Sequence, residues 1–153
     1  MEQVKIKPAL LSGEVNVPPS KSISHRLLIC AWLASGKSFL ENVSRCEDIT
    51  ATINAIENLG GQVEYCPDSG NSKSCGLYVW GNKLPVLKRK IIDCNESGST
   101  LRFLIPPASL AGEKVTFRGK SRLAERPIDL YFDIFQEQKI NYSTRGGKLP
   151  LTF

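Results

Sequence analysis

The sequence predicts a layered α/β fold in which one strand–helix–strand–helix–strand–strand unit is used twice. Three observations carry this. Strand-like and helix-like runs alternate along most of the 153 residues, the element order of an α/β protein rather than an all-α or all-β one. The chain also aligns with itself at an offset of 76: with Arg26 laid on Arg102, RLLICAWLASGKSFLEN falls on RFLIPPASLAGEKVTFR, so that Leu28 meets Leu104, Ile29 meets Ile105 and Gly36 meets Gly112. One residue later in register, Asp48 falls on Glu125, Val63 on Ile140 and Tyr65 on Tyr142. Apolar strings align easily, so the shared element order is the stronger half of that evidence. Finally, the leading helix of each copy is apolar on nearly all sides, which predicts helices packed inside and sheets outside.

In chain order, Val15 and Val17 read as a short strand. A buried helix follows from about Ser22 to Ala34, stopped by Ser35-Gly36. Lys37 to Asn42 reads as a strand. Asp48 opens a second helix whose Ile49, Ile53, Ile56 and Leu59 form an amphipathic stripe, ended by Gly60-Gly61. Val63 to Cys66 and Leu77 to Trp80 are strands around the polar turn PDSGNSKSCG. The second copy begins with a strand at Ile91 to Asp93 and a helix from Gly98. Pro106-Pro107 remove two donors and crowd the preceding turn, so this helix is expected to kink or stop near Ile105. Val115 to Arg118 is a strand. Pro127 suits the first position of the next helix, with Ile128, Tyr131, Ile134 and Phe135 facing the core. Ile140 to Ser143 and Leu149 to Phe153 complete the copy. The repeat units run from about 14 to 82 and from about 90 to 153, within one partial domain spanning 1–153. The chain reads as cut after its last strand.

Composition narrows the classes. At 41% hydrophobic and 23% charged residues the chain reads as soluble and globular. No apolar run reaches the ~18 residues of a membrane span. The N-terminus has neither signal-peptide nor transit-peptide layout, so a cytoplasmic location is expected. Five cysteines at irregular spacing and one histidine, His25, argue against a structural metal site or a disulfide framework and for reduced thiols, mostly core filler. No metal and no cofactor is expected. A net charge of +5 favours an anionic partner. Single basic residues set beside Ser and Gly suit small anions better than a polyanion.

The chemistry gathers at helix entrances. In PPSKSISHR, Lys21 and Ser22 sit at the first turn of the first helix, and Arg26 lies one turn later on the same face. A helix N-terminus offers unpaired N–H groups and partial positive charge. An ammonium, a hydroxyl and a guanidinium converging there suit a phosphate or carboxylate. The bland alternative is a Ser cap with solvated Lys and Arg. The repeat places NESGSTLR at the equivalent entrance, with Gly98 over Ser22 and Arg102 over Arg26. Gly98 lets a ligand approach the backbone, whereas a plain cap with Glu96 near the dipole is the alternative. Arg126, before Pro127 in SRLAERPI, marks a third helix start, although alone it reads as a surface Arg. The carboxylates of Asp48, Glu96 and Glu125 read as caps or surface charges.

PPSKSISHR, CNESGSTLRFL and LAERPI, in that order and spacing, resemble the enolpyruvyl transferase family over nearly the whole chain, from about Gly13 to Phe153. The SKSxSxR pattern is highly specific. The resemblance implies an inside-out α/β fold of two similar domains, each of three βαβαββ units, of which this chain would hold about two. It implies transfer of the enolpyruvyl group of phosphoenolpyruvate to the 5-hydroxyl of shikimate 3-phosphate, releasing phosphate, on the route to aromatic amino acids. Lys21, Ser22 and Arg26 match shikimate 3-phosphate contacts. Lys21, Gly98 and Arg126 match phosphoenolpyruvate contacts. Arg102 matches an arginine that helps build the anion pocket. Two departures stand out: Glu96, where many members carry Asn and where a carboxylate would repel phosphoenolpyruvate, and the pair Pro106-Pro107. The branch of the family that uses UDP-N-acetylglucosamine is less similar. It carries Lys-Asn where this chain has Lys21-Ser22, and commonly a later loop cysteine, whereas nothing follows Cys94 here.

The family's acid–base residues and several of its clamping cations would lie beyond this chain, so the isolated polypeptide is expected to be inactive while retaining part of the substrate site. The C-terminal portion of the same enzyme is the expected protein partner; nucleic acid and membrane are not expected. A non-catalytic phosphometabolite-binding module is the competing class. An RNA-binding domain is disfavoured, because Trp32, Phe103, Tyr131 and Phe135 fall on core faces rather than on a basic stacking surface.

Overall fold

In the computed structural model, residues 3–66 and 76–153 are described. The turn expected at PDSGNSKSCG lies, except for Gly76, outside them. Residues 3–19 form no helix or strand and are almost wholly exposed, and the strand expected at Val15 and Val17 has no ladder partner among the described residues. An isolated two-sided strand gains nothing from burial, so β-propensity alone does not form one.

Helix α1 (Lys21–Leu33) is followed by strand β1 (Ser35–Leu40), helix α2 (Glu47–Asn58) and strands β2 (Gln62–Tyr65) and β3 (Leu77–Asn82). Strand β3 is the centre of an antiparallel sheet in the order β1-β3-β2. Strand β4 (Ile91–Asp93), helix α3 (Gly98–Ala108), strand β5 (Thr116–Arg118), short helices α4 (Ser121–Glu125) and α5 (Phe132–Glu137), and strands β6 (Ser143–Arg145) and β7 (Lys148–Thr152) follow. The second sheet runs β4-β5-β7-β6, with β4 parallel to β5 and the rest antiparallel. Its last three strands repeat the order of the first sheet. No helix among the described residues is long and apolar enough to cross a membrane.

Helices α1, α2 and α3 pack on one another, with α1 and α2 against the first sheet and α2 also against β4. The stripe on α2 works as its spacing predicts: Ile49, Ile53, Ile56 and Leu59 are all buried. Helix α1 buries Leu28, Ile29, Ala31 and Trp32 against β3 and α2. It differs from expectation on its other side, where Ile23 and Leu27 stay 58% and 43% exposed. The described elements cover two flanks of α1 and leave the third to solvent. Gly81 in β3 permits the close approach of α1, since a Cβ there would sit 1.9 Å from the Ala34 carbonyl oxygen. Of the described cysteines only Cys94 is fully buried, while Cys30 is exposed, so core filling accounts for little of their number.

Helix α3 does not stop near Ile105; it runs through Pro106 and Pro107 to Ala108. The donors lost at those prolines would have served the carbonyls of Arg102 and Phe103. The Arg102 carbonyl instead accepts a hydrogen bond from the Tyr131 hydroxyl at 2.8 Å. Pro107 is buried with Leu104 and Ile105, so packing offsets part of the remaining cost. Three further expectations fail nearby. Pro127 does not open a helix: it follows the end of α4 and precedes a single 3₁₀ turn at Asp129–Tyr131. Ile128, Tyr131 and Phe135 are buried, but Ile134 is 47% exposed. The strand expected from Ile140 begins at Ser143.

Candidate functional site

Three helices point their N-termini at one region, and a cleft of about 460 Å³ opens there. Lys21 from α1, Asp48 from α2, and Glu96, Gly98, Ser99, Arg102, Phe103 and Arg126 line it. Each entrance is built by local chemistry. Ser20 caps α1 by accepting the Ile23 N–H, and Ser97 caps α3 by accepting the Thr100 N–H at 3.1 Å. The Ser24 hydroxyl donates to the Ser20 carbonyl and accepts the Ser44 N–H, which fixes the loop before α2. Of the hydroxyls in SKSIS, then, Ser20 and Ser24 serve the backbone, and Ser22 is left exposed beside Lys21.

The cleft carries three cationic side chains against two carboxylates, and the unpaired amides at the helix starts add positive potential. Lys21 Nζ lies 2.6 Å from Asp48 Oδ2. The hydrogen bond and charge of Asp48 hold the Lys21 ammonium above the ordinary lysine range. Glu96 makes no ion pair among the described residues, so its charge is not cancelled by a neighbouring arginine. A Cβ on Gly98 would come within 3.2 Å of an Arg126 guanidinium nitrogen. The bare glycine therefore lets that cation lie against the start of α3.

Beneath the cleft runs a buried polar chain. His25 Nδ1 is 2.7 Å from Thr52 Oγ1, Thr52 Oγ1 is 2.7 Å from Thr100 Oγ1, and Thr100 Oγ1 is 2.6 Å from Ser97 Oγ. Both threonine hydroxyls also lie within reach of the Asp48 carbonyl, at 3.2 and 3.3 Å. His25 Nε2 is buried and has no partner among the described residues. Burial pushes the imidazole pKa below its ordinary value, against a partly opposing pull from Asp48.

Of the residues singled out from sequence, Lys21, Glu96, Gly98, Arg102 and Arg126 share the cleft. Ser22 and Arg26 do not line it. The Arg26 guanidinium donates to the Ser22 carbonyl and lies over the Phe103 ring, 4.9 Å from its centroid, which sets it at the cleft's edge. Arg126 reaches the site from the end of α4 rather than from a helix start. Asp48, taken as a cap, is in the cleft instead. Its place in the first turn of α2 was a signal, since the first turns of α1 and α3 were already assigned there. Glu125 is a surface charge paired with Lys148. The hydroxyl chain left no mark in the sequence, because Thr52 and Thr100 look like ordinary helical threonines.

Fold and cleft together define an α/β protein that gathers helix N-termini and basic side chains around one cleft. Comparison with known proteins makes this specific: the family model for EPSP synthase (3-phosphoshikimate 1-carboxyvinyltransferase) matches residues 6–153, and the chain belongs to that family. It is 49% identical to a 3-phosphoshikimate 1-carboxyvinyltransferase of Clostridium kluyveri over 99% of its own length and 34% of the relative's. A Clostridium novyi protein of the same name is 47% identical over 99% of this chain and 35% of its own. The chain thus spans about a third of the length of these relatives. A solved EPSP synthase from Acinetobacter baumannii superposes with a TM-score of 0.77 at 23% identity, covering 92% of this chain and 32% of that one, which shows the shared inside-out α/β fold.

Proposed function

We propose that this chain is part of a 3-phosphoshikimate 1-carboxyvinyltransferase and supplies one wall of its substrate site. The reaction moves the enolpyruvyl group of phosphoenolpyruvate to the 5-hydroxyl of shikimate 3-phosphate and releases phosphate. The observation that carries the reading is one cleft that brings Lys21, Gly98 and Arg102 of α1 and α3 together with Arg126 from the end of α4. Lys21, Ser22 and Arg26 are assigned to shikimate 3-phosphate, and Lys21, Gly98 and Arg126 to phosphoenolpyruvate, with Arg102 supporting the pocket. Charge-assisted hydrogen bonds of this kind contribute about 1.5–3 kcal/mol each. Asp48 is engaged by Lys21 and the Glu96 carboxylate repels anions, so the cationic residues hold substrate, and the proton transfers are assigned to groups beyond this chain. The same reading treats 1–153 as part of one domain with units at about 14–82 and 90–153. It sets the open flank of α1 against a further unit and places the enzyme in the cytoplasm.

Calorimetric titration tests this. Shikimate 3-phosphate should bind the chain weakly, more tightly than inorganic phosphate or UDP-N-acetylglucosamine, and Arg126→Ala should reduce phosphoenolpyruvate binding in its presence. Equal affinity for all anions would reduce the cleft to a nonspecific basic patch. Tighter binding of UDP-N-acetylglucosamine would favour the other branch of the family. The chain alone should show no turnover.

A further inference from the structure

The buried chain from His25 to Ser97 connects all three helices that reach the cleft: α1 through His25, α2 through Thr52 and the Asp48 carbonyl, and α3 through Thr100 and its cap Ser97. Its end touches the site, because Ser97 immediately precedes Gly98 and Ser99 in the cleft wall. We propose that His25 is a positioning residue: through the hydroxyls of Thr52 and Thr100 it sets the cap Ser97, and with it the backbone at Gly98 and Ser99 that meets the anion. The role at the anion rests on the function proposed above; the linkage between His25 and α3 does not.

Proton bookkeeping shows how the linkage works. Each hydroxyl donates once. A neutral imidazole can accept at Nδ1 from Thr52 or donate to it, so the chain can run in either direction. A protonated imidazole must donate at Nδ1. Thr52 then donates to Thr100, and Thr100 to Ser97, while a charged Nε2–H is left buried without an acceptor. An orphaned buried donor is costly, so protonation strains the contact between α1 and the α2–α3 pair. The groups facing the ring are Asp48 from α2, which favours the proton, and Lys21 and Arg26 from α1, which oppose it; α3 presents the uncharged Thr100.

His25 is the sole histidine, so its ring resonances identify themselves in a spectrum. The experiment is a ligand-free NMR titration of the whole chain from about pH 7.5 to about pH 4.5, bracketing the histidine range. It follows the ring Cε1–H together with the amides of Gly98, Ser99 and Thr100. The expected result is that these amides move along the ring's own titration curve. In Thr52→Val the ring still titrates but the Gly98 response is lost, and in His25→Asn, where Oδ1 can replace Nδ1, the pH response vanishes while the neutral-pH spectrum at Gly98 persists. Amides that stay still while His25 titrates, or that keep their response in His25→Asn because carboxylates drive it, would overturn the proposal. With shikimate 3-phosphate at neutral pH, Thr52→Val should bind about tenfold more weakly, the loss expected for one buried hydrogen bond, and His25→Asn should bind like the parent. Failure of the parent chain to bind that ligand would count against the proposed function, while the ligand-free titration still decides the linkage.

Discussion

At Arg102 the backbone and the side chain do separate jobs. The guanidinium lines the cleft, while the carbonyl, left without its helical donor by Pro106, takes the hydroxyl of Tyr131. Tyr131→Phe should therefore cost about 0.5–1.5 kcal/mol of stability, the net contribution of one part-buried hydrogen bond. In a Pro106→Ala background the restored N–H should shrink that cost, a coupling that denaturant melts of the double-mutant cycle would measure. Charges behave as simply. Asp48→Asn should bring the Lys21 pKa back toward 10.5, readable from the Nζ resonance in a pH titration. Glu96→Gln removes an unpaired negative charge from the cleft mouth. Phosphate-bearing ligands should then bind about two- to fivefold more tightly, as expected for a largely solvated charge. An unchanged affinity would mean that Glu96 points away from bound ligand.

Helices and strands show where sequence rules work and where they do not. Periodicity located α1, α2 and most strands to within about two residues, because each buries a patterned face. Ile56, fully buried on α2, should cost about 2–5 kcal/mol on mutation to alanine, whereas Ile23→Ala on the open flank of α1 should change stability by about 0.5 kcal/mol or less. Urea unfolding of the two variants would show the contrast. Local rules failed wherever a distant partner decided the outcome. The Pro-Pro pair ends a helix in isolation, but Tyr131, 29 residues from Arg102, serves the freed carbonyl. Helix α4 is five residues long, too short to show a period, so Arg126 was placed at a helix start instead of an end. The cleft was legible because a helix entrance with Ser and Arg recurs in both copies, with Lys21 in the first and Gly98 in the second. Its buried hydroxyls were not, since only tertiary packing brings them to the entrances.

Across the whole molecule, His25, Cys94 and Lys21 are among the buried or paired groups that set how stability varies with pH. His25 has a depressed pKa, so below its ordinary 6.5 the unfolded chain takes up a proton that the folded chain resists, and stability falls as the solution is acidified through that range. The Cys94 thiol is pushed up by burial from 9.0 to about 12, so the unfolded chain ionises first and stability declines between those values. Lys21, raised by Asp48, contributes below 10.5 and loses that contribution as pH climbs through its folded value. Stability should therefore plateau between about pH 6.5 and 9, and urea midpoints across a pH series should show His25→Asn flattening the upper part of the acid limb. The central claim is that the starts of α1 and α3 form one anion cleft. Amide shift mapping during addition of shikimate 3-phosphate tests it most directly. The largest changes should fall together at Lys21, Ser22, Gly98, Ser99 and Arg102, follow a single binding curve and disappear in Lys21→Ala. Shifts confined to one helix, or spread over the outer faces of the sheets, would contradict it.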